Sequence, residues 1–303
     1  MADSVREDVL KTFQEDYAEV NGVRLHYVSA GQGGLVLFVH GFPEFWGEWE
    51  NQLLEFGRDH QAVALDMRGY NLSSKPTELE QYNIKYLTKD LQALAKHLEH
   101  DRFILVAHDW GGAVAWSFAN RYPNCLERLI IINAPHPAVF ARELIHNPAQ
   151  KEASQYMLLF RGDKAEHSLS KNNYEWLFNA LMHRGSKWKM SDEDQQKYLR
   201  AWSQPGALTG GLNYYRASPL FPASTPEEES RLAGVMNLGR EQVEVKVPTL
   251  VIWGELDMAL TTGNLKGLEE YVDDLTIKRI PDGTHWVIHE QPDLVNSLIR
   301  DFI

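Results

Sequence analysis

The stretch Ala107-His108-Asp109-Trp110-Gly111-Gly112 decides how this chain folds. The apolar run 103–106 before it predicts a buried strand, and a helix is predicted to begin at Trp110. A sharp strand-to-helix turn with small residues around one reactive side chain is the pattern of a nucleophile elbow. Asp is also a favoured helix N-cap residue, so this stretch alone leaves a simple cap open.

An acid at the elbow changes the chemistry that the turn can support. A Ser in this place attacks acyl carbon, whereas a carboxylate can displace a leaving group from saturated carbon and leave an ester that water then cuts. Asp109 therefore points away from ordinary esterase chemistry.

Composition and charge limit the classes of function and partner that this protein can have. The 303 residues are 44% hydrophobic and 24% charged, and no apolar run approaches the roughly eighteen residues that span a bilayer. A net charge of -12 argues against nucleic acid and anionic membranes as partners. We expect a small neutral organic substrate together with water, and a homodimer is left open.

Cysteine usage and the first residues bear on the compartment. Cys125 is the only cysteine, so no intrachain disulfide and no cysteine-based metal cluster can form. Residues 1–15 are acidic and lack the basic start and apolar centre of a secretory signal. These features predict a cytoplasmic protein.

Strand and helix patterns alternate along most of the chain, which predicts a mostly parallel sheet flanked by helices. Asn21 and Gly22 predict a two-residue hairpin turn. The predicted strands are 35–39, 60–65, 103–106, 126–132, 249–253 and 275–280, and the predicted helices lie near 47–58, 84–97, 110–122 and from 292 onward. The alternation stops at residue 135 and returns near 246, with a helix-like region between. We therefore expect an α/β-hydrolase core in two parts, 1–135 and 246–303, and an inserted helical cap at 136–245.

Five motifs follow one another in a recognisable order: HGFP at 40–43, DMRGY at 66–70, HDWGG at 108–112, WGELD at 253–257 and GTHW at 283–286. With these motifs the chain resembles the α/β hydrolases of the epoxide hydrolase and haloalkane dehalogenase branch, and within it the epoxide hydrolases. The resemblance extends from about Tyr17 to Ile303. Asn71 departs from the Gly that usually follows the Arg-Gly-Tyr of that loop, but Asn tolerates positive φ, so the turn should survive.

The resemblance assigns a catalytic triad. Asp109 would attack carbon and form an alkyl-enzyme ester, and His285 would take a proton from the water that hydrolyses it. Asp257 would orient His285, since it follows the returning strand and precedes the histidine in the nucleophile, acid, histidine order. Glu255 and Asp282 are rival acids: Glu255 lies nearer the strand, and Asp282 is too close in sequence to reach the ring from behind.

The oxyanion of the hydrolytic step needs donors, and the backbone N–H groups of Phe42 and Trp110 are the expected pair. Glu44 would help to place the hydrolytic water, as residues in this position are thought to do in some epoxide hydrolases. A plain surface acid is the alternative for Glu44.

Two cap tyrosines, Tyr215 and Tyr156, match those of epoxide hydrolases. Opening an epoxide develops an alkoxide, and phenols are good donors to it because they are neutral at pH 7. Simple packing within the cap is the alternative for both, and Tyr214 is the expected packing neighbour.

Other functions remain open at this point. A haloalkane dehalogenase would use the same triad with N–H donors for halide, and Trp176, Trp188 or Trp202 could join Trp110 in that role. Haloacids are poor candidates, because related enzymes carry Arg after the nucleophile where this chain has Trp110. A non-catalytic binder would not need acid, base and nucleophile together. No metal or organic cofactor is implied, since the chain has no His-rich ligand cluster and no phosphate-binding Gly-rich loop.

Overall fold

One sheet of eight strands organises the computed structural model, which describes residues 13–303. The strands are β1 Gln14–Val20, β2 Val23–Ala30, β3 Leu35–Val39, β4 Gln61–Leu65, β5 Phe103–His108, β6 Leu126–Ile132, β7 Thr249–Gly254 and β8 Leu275–Ile280. Their order is β1-β2-β4-β3-β5-β6-β7-β8, with β1, β2 and β4 paired antiparallel and every pair from β4 to β8 parallel. This mostly parallel sheet with flanking helices confirms the predicted fold class.

The central strands are apolar because helices cover both faces of the sheet. Every residue of β3, β5 and β7 is buried. Val36 and Phe38 join one apolar layer, and the alternate residues Leu37 and Val39 join the other. The strand therefore contributes to a core on each face.

Turn residues have the backbone conformations that the sequence predicts. Asn21 and Gly22 both have positive φ, at 48° and 76°, and join β1 to β2. Asn71 has φ 37°, so its loop keeps the left-handed turn without glycine.

Helices lie between the strands and after β8. Those outside the β6–β7 connection are Glu50–Phe56, Ile84–His97, Asp109–Arg121, Val287–Glu290 and Pro292–Arg300. The helix expected at 47–58 is divided into a 3₁₀ turn, Trp46–Trp49, and the helix Glu50–Phe56. Elsewhere the predicted and observed bounds differ by a residue or two.

The connection between β6 and β7 is helical where the cap is expected. Its helices are Pro137–His146, Pro148–Ala153, Tyr156–Arg161, Ala165–Trp176, Asp192–Trp202, Ala207–Ala217 and Pro226–Met236, with a π-helical turn at Leu177–Met182. Non-helical backbone at Lys171–Tyr174 interrupts one of them. The domain limits 1–135, 136–245 and 246–303 stay predictions.

Among residues 13–303, none of the helices is both long and apolar enough to cross a membrane. Most of the acidic segment 1–15 lies outside the described residues. The cytoplasmic compartment expected from it therefore stays a prediction.

Candidate active site

The elbow turns sharply between β5 and the helix Asp109–Arg121. Asp109 has φ 48°, in the left-handed region that non-glycine residues seldom occupy. Two residues later the chain needs glycine at position 111, because a Cβ on Gly111 would overlap the carbonyl oxygens of Val39 and His40. The start of the helix therefore packs closely against the end of β3, and the Asp109 carboxylate lies beyond the edge of the sheet.

The loop after β3 meets this carboxylate. The backbone N–H of Phe42 donates to Asp109 Oδ1 at 2.8 Å. A Cβ on Gly41 would overlap the Asp109 side chain, so only glycine allows this approach. The Phe42 N–H therefore already contacts the oxygen on which the oxyanion would develop, whereas a second donor from Trp110 stays a prediction.

The predicted base and acid lie beside the nucleophile. His285 Nε2 is 3.5 Å from Asp109 Oδ2, and His285 Nδ1 is 2.7 Å from Asp257 Oδ2. The three residues follow β5, β7 and β8, whose carboxyl ends meet at one edge of the sheet. The structure thus brings together the nucleophile, base and acid that were predicted separately.

Four hydrogen bonds surround the Asp257 carboxylate. Oδ1 accepts from the backbone N–H groups of Ala259 and Leu260 at 2.8 and 2.9 Å. Oδ2 accepts from Asn133 Nδ2 at 2.7 Å in addition to its contact with His285. Asn133, which sequence reasoning missed, also exchanges two hydrogen bonds with the backbone of Gly254. It therefore ties the acid to the end of β7.

The rival acids lie elsewhere. Glu255 pairs with Arg279, and the exposed Asp282 accepts from Gln291 at 3.1 Å.

The electrostatics of the triad favour a charged resting state. Burial alone would raise the pKa of Asp109, but the hydrogen bond and charge of His285 outweigh it, so this pKa lies below its ordinary value. Burial alone would lower the pKa of His285, but the carboxylates of Asp257 and Asp109 raise it well above the ordinary value. The two carboxylates therefore favour the protonated form of His285, and His285 in turn favours the ionised form of Asp109.

The two predicted tyrosines face the nucleophile from the helices Ala207–Ala217 and Tyr156–Arg161. The rings of Tyr215 and Tyr156 lie 6.2 Å apart and nearly perpendicular, and both line a cavity with Asp109. Burial raises the pKa of each phenol, and the Asp109 charge raises it further. Both are therefore neutral donors.

The cavity shared by Asp109 and the tyrosines has a volume of about 230 Å³. Apolar side chains form most of its wall, among them Ile84, Leu87, Phe140, Met157, Leu220, Val235 and Leu260. Among the described residues, Asp109 is the one charged group that lines it. A second cavity, of about 380 Å³, reaches His285 from another side, and Tyr156 borders both.

Glu44 is buried rather than exposed. Its carboxylate accepts from the Tyr198 hydroxyl at 2.5 Å and pairs with His289 Nε2 at 3.0 Å. The surface alternative is therefore wrong, while its role toward a water molecule stays a prediction.

Two histidines that were not among the predicted site residues, His108 and His289, lie beside predicted ones, His285 and Glu44. The His108 ring lies 4.6 Å from that of His285, and its Nδ1 is 2.5 Å from Glu48 Oε1. His289 stacks on Trp188 with ring centroids 4.0 Å apart. The position of His108 directly before the nucleophile was the one signal available in the sequence.

Glu290 joins the helical region to the segment that carries His285. Its carboxylate accepts from the backbone N–H of Thr284 at 2.8 Å and from the Thr284 hydroxyl at 3.0 Å. It also accepts from the Ser186 hydroxyl at 2.6 Å and the Lys187 N–H at 3.2 Å. The base is therefore tied to residues 186–187.

Comparisons with known proteins agree with this fold. A family model described as alpha/beta hydrolase fold matches residues 34–292. Epoxide hydrolase 3 of Xenopus tropicalis is 36% identical over 293 residues, which cover 93% of this chain and 75% of the relative. Epoxide hydrolase 4 of Mus musculus is 36% identical over 294 residues, covering 93% and 77%. The crystal structure of a Bacillus megaterium epoxide hydrolase with an inhibitor has a TM-score of 0.88 and 38% identity, covering 95% of this chain and 99% of that one.

Proposed function

This chain belongs to the epoxide hydrolases of the alpha/beta hydrolase fold, and we propose that it opens its epoxide through a covalent ester on Asp109. The observation that carries the mechanism is the line of contacts from Asp109 through His285 to Asp257, at 3.5 and 2.7 Å. It is a hydrolase that acts on the ether bond of an epoxide, with water as the second substrate.

In the first step Asp109 Oδ2 attacks an epoxide carbon, since Oδ1 is held by Phe42 N–H. The carbon–oxygen bond breaks, and its electron pair goes to the epoxide oxygen. Tyr215 and Tyr156 hold that oxygen by hydrogen bonds, and one of the two phenols transfers its proton to it. The substrate thereby gains a hydroxyl, and the phenolate is reprotonated from solvent. Such general-acid assistance contributes about 10²–10⁴-fold to rate.

In the second step His285, once deprotonated, takes a proton from water, and the resulting hydroxide attacks Cγ of Asp109. The negative charge develops on Oδ1, which the Phe42 N–H already contacts at 2.8 Å. Asp257 stabilises the imidazolium that forms. Collapse of the intermediate breaks the bond between Cγ and the alkylated Oδ2, and the leaving oxygen of the diol takes the proton from His285. The carboxyl group of Asp109 that remains ionises and is ready for the next attack.

The wall of the cavity supports a neutral substrate with an apolar substituent. A charged substituent would lose its hydration among apolar side chains. An anionic substituent would find no opposite charge among the described lining residues, and a cationic one would find only Asp109, whose carboxylate has to attack the epoxide carbon. An aryl or alkyl epoxide of modest size suits about 230 Å³.

The arrangement of indole groups favours an epoxide over a halide. The Trp110 side chain hydrogen-bonds Tyr215, and Trp202 Nε1 donates to the carbonyl of Pro43 at 2.6 Å. Two of the indoles considered as halide donors therefore have partners already.

The intact mass of a His285→Gln variant tests the proposal. After incubation with an aryl or alkyl epoxide, we expect a stable adduct equal in mass to the whole epoxide, located on Asp109 by peptide mapping. A parallel incubation with a bromoalkane separates the two chemistries, because an alkyl-only adduct would favour dehalogenation. Asp109→Ala in the same background is the control and should form no adduct. A folded His285→Gln protein that stays unmodified by the epoxide would refute the mechanism.

A further inference from the structure

A buried carboxyl–imidazole pair lies against the base of the triad. His108 and Glu48 are each at most 1% exposed. His108 Nδ1 lies 2.5 Å from Glu48 Oε1, and His108 Nε2 lies 2.9 Å from the backbone carbonyl oxygen of His285. The pair therefore reaches the peptide group that carries the base.

The carbonyl contact determines where one proton lies. A carbonyl oxygen only accepts hydrogen bonds, so His108 Nε2 carries a hydrogen. The other nitrogen, Nδ1, then has two states. Either the ring is neutral and Nδ1 accepts a hydrogen bond from the protonated carboxyl group of Glu48, or the ring is an imidazolium beside an ionised Glu48.

The surroundings disfavour the ionised state. An imidazolium at His108 would lie 4.6 Å, centroid to centroid, from His285, whose charged form is favoured by the carboxylates of Asp257 and Asp109. An ionised Glu48 would leave its buried Oε2 without a hydrogen-bond partner and close to the carboxylate of Glu44. His289 offsets part of that charge, but it already pairs with Glu44 at 3.0 Å.

The titration directions agree with this geometry. Burial, with the charge of Glu44, raises the pKa of Glu48 well above its ordinary value. Burial, with the charge of His285, lowers the pKa of His108 to about 3.

We propose that Glu48 is a carboxylic acid that donates to His108 Nδ1, and that this bond fixes His108 Nε2–H on the carbonyl of His285. Glu48 is then a positioning residue, which acts on the base through His108. The inference rests on the proposed function, since it concerns the step in which His285 activates water. Without the donor, His108 can move its hydrogen to Nδ1, and the bond to the His285 carbonyl is lost.

Two variants of similar size separate a donor from a charge. Glu48→Gln retains a neutral donor for Nδ1, so we expect the rate of ester hydrolysis to stay within about twofold of wild type. Glu48→Leu removes the donor, so we expect hydrolysis to slow about tenfold while ester formation is unchanged. The fraction of alkylated enzyme at steady state, measured by quenched intact-mass spectrometry, should rise only in Glu48→Leu.

Glu50→Gln is the matched control. Glu50 lies two residues after Glu48 and is also buried, but its carboxylate pairs with Lys197 Nζ at 2.9 Å. Its loss should leave the alkylated fraction at the wild-type level. The proposal fails if Glu48→Gln accumulates ester as Glu48→Leu does, or if Glu48→Leu behaves as wild type.

A substrate-free measurement keeps the inference testable if Glu48→Leu does not fold. In ¹⁵N-histidine-labelled wild-type protein, the His108 signal, assigned by substitution, should show hydrogen on Nε2 alone near neutral pH. Hydrogen on both nitrogens would overturn the proposal. This reading is independent of turnover, so it stands apart from any failure of the epoxide assays.

Discussion

Replacing Asp257 by Asn should stop the hydrolytic step because of how the amide must sit. Ala259 and Leu260 donate backbone N–H groups to Oδ1, so the amide oxygen of the variant takes that place. The amide nitrogen then takes the place of Oδ2 and faces Asn133 Nδ2 and His285 Nδ1, each of which lies 2.7 Å from Oδ2 in the wild-type structure. The amide nitrogen and Asn133 Nδ2 are both donors, so they oppose each other. Toward the base, the amide nitrogen donates to His285 Nδ1, which forces the ring hydrogen of His285 onto Nε2. In that tautomer the base cannot take a proton from water.

The magnitude follows from two losses. A hydrogen bond to a charged group contributes about 1.5–3 kcal/mol, and a buried donor left facing a donor costs about 1–3 kcal/mol. Together they amount to about 2.5–6 kcal/mol, which is roughly 10²–10⁴-fold in the hydrolysis rate. An Asp-to-Asn change in a Ser-His-Asp triad has a comparable effect, about 10⁴-fold in kcat, for the same tautomeric reason.

The assay separates the two steps. Rapid quenching followed by intact-mass measurement should show that Asp257→Asn forms one equivalent of ester and then turns over very slowly. Asp282→Asn, which removes the exposed rival acid, should retain the wild-type rate. Steady-state turnover of Asp257→Asn at the wild-type level would refute the assignment of the acid.

Three further outcomes are expected. Tyr215→Phe should depress epoxide turnover about 10²-fold or more while sparing any bromoalkane turnover, and equal losses on both substrates in steady-state assays would contradict its role as a donor to the epoxide oxygen. The alkylated fraction should rise as pH falls, because Asp109, with its lowered pKa, stays ionised for attack. In the ester Asp109 no longer carries the charge that helps to raise the pKa of His285, so His285 loses its proton at higher pH and regains it as pH falls, when it cannot act as base. A fraction that falls toward low pH in quenched mass spectra would contradict this order. Gly41→Ala should slow ester formation at least about 100-fold, since its Cβ would displace the Asp109 carboxylate, whereas Gly234→Ala, whose Cβ meets nothing within 4 Å, should keep the wild-type rate in the same alkylation assay.

Features that depend on local sequence could be predicted well. The alternation of buried strands and helices gives the sheet, and the carboxyl ends of β5, β7 and β8 place Asp109, Asp257 and His285 at one edge. The order of nucleophile, acid and histidine along the chain was enough to choose the acid, because each residue follows its own strand.

Features that depend on how helices pack against the sheet could not be predicted from the sequence. Glu44 follows the predicted oxyanion loop, but its partners Tyr198 and His289 lie 154 and 245 residues further along the chain. The contact of Glu48 with His108 likewise spans 60 residues. Pattern and spacing carry no information on such pairs, since each forms only when separate elements pack together.

The carboxylate of Glu290 has a practical consequence for anyone who wishes to alter substrate preference. Because it binds both Ser186 and the backbone beside His285, a mutational library that includes residues 186–187 would disturb the base. Pocket residues such as Leu220 and Val235 offer safer positions, since they line the cavity beside Asp109. Selectivity can be redesigned there with the proton-transfer apparatus left in place.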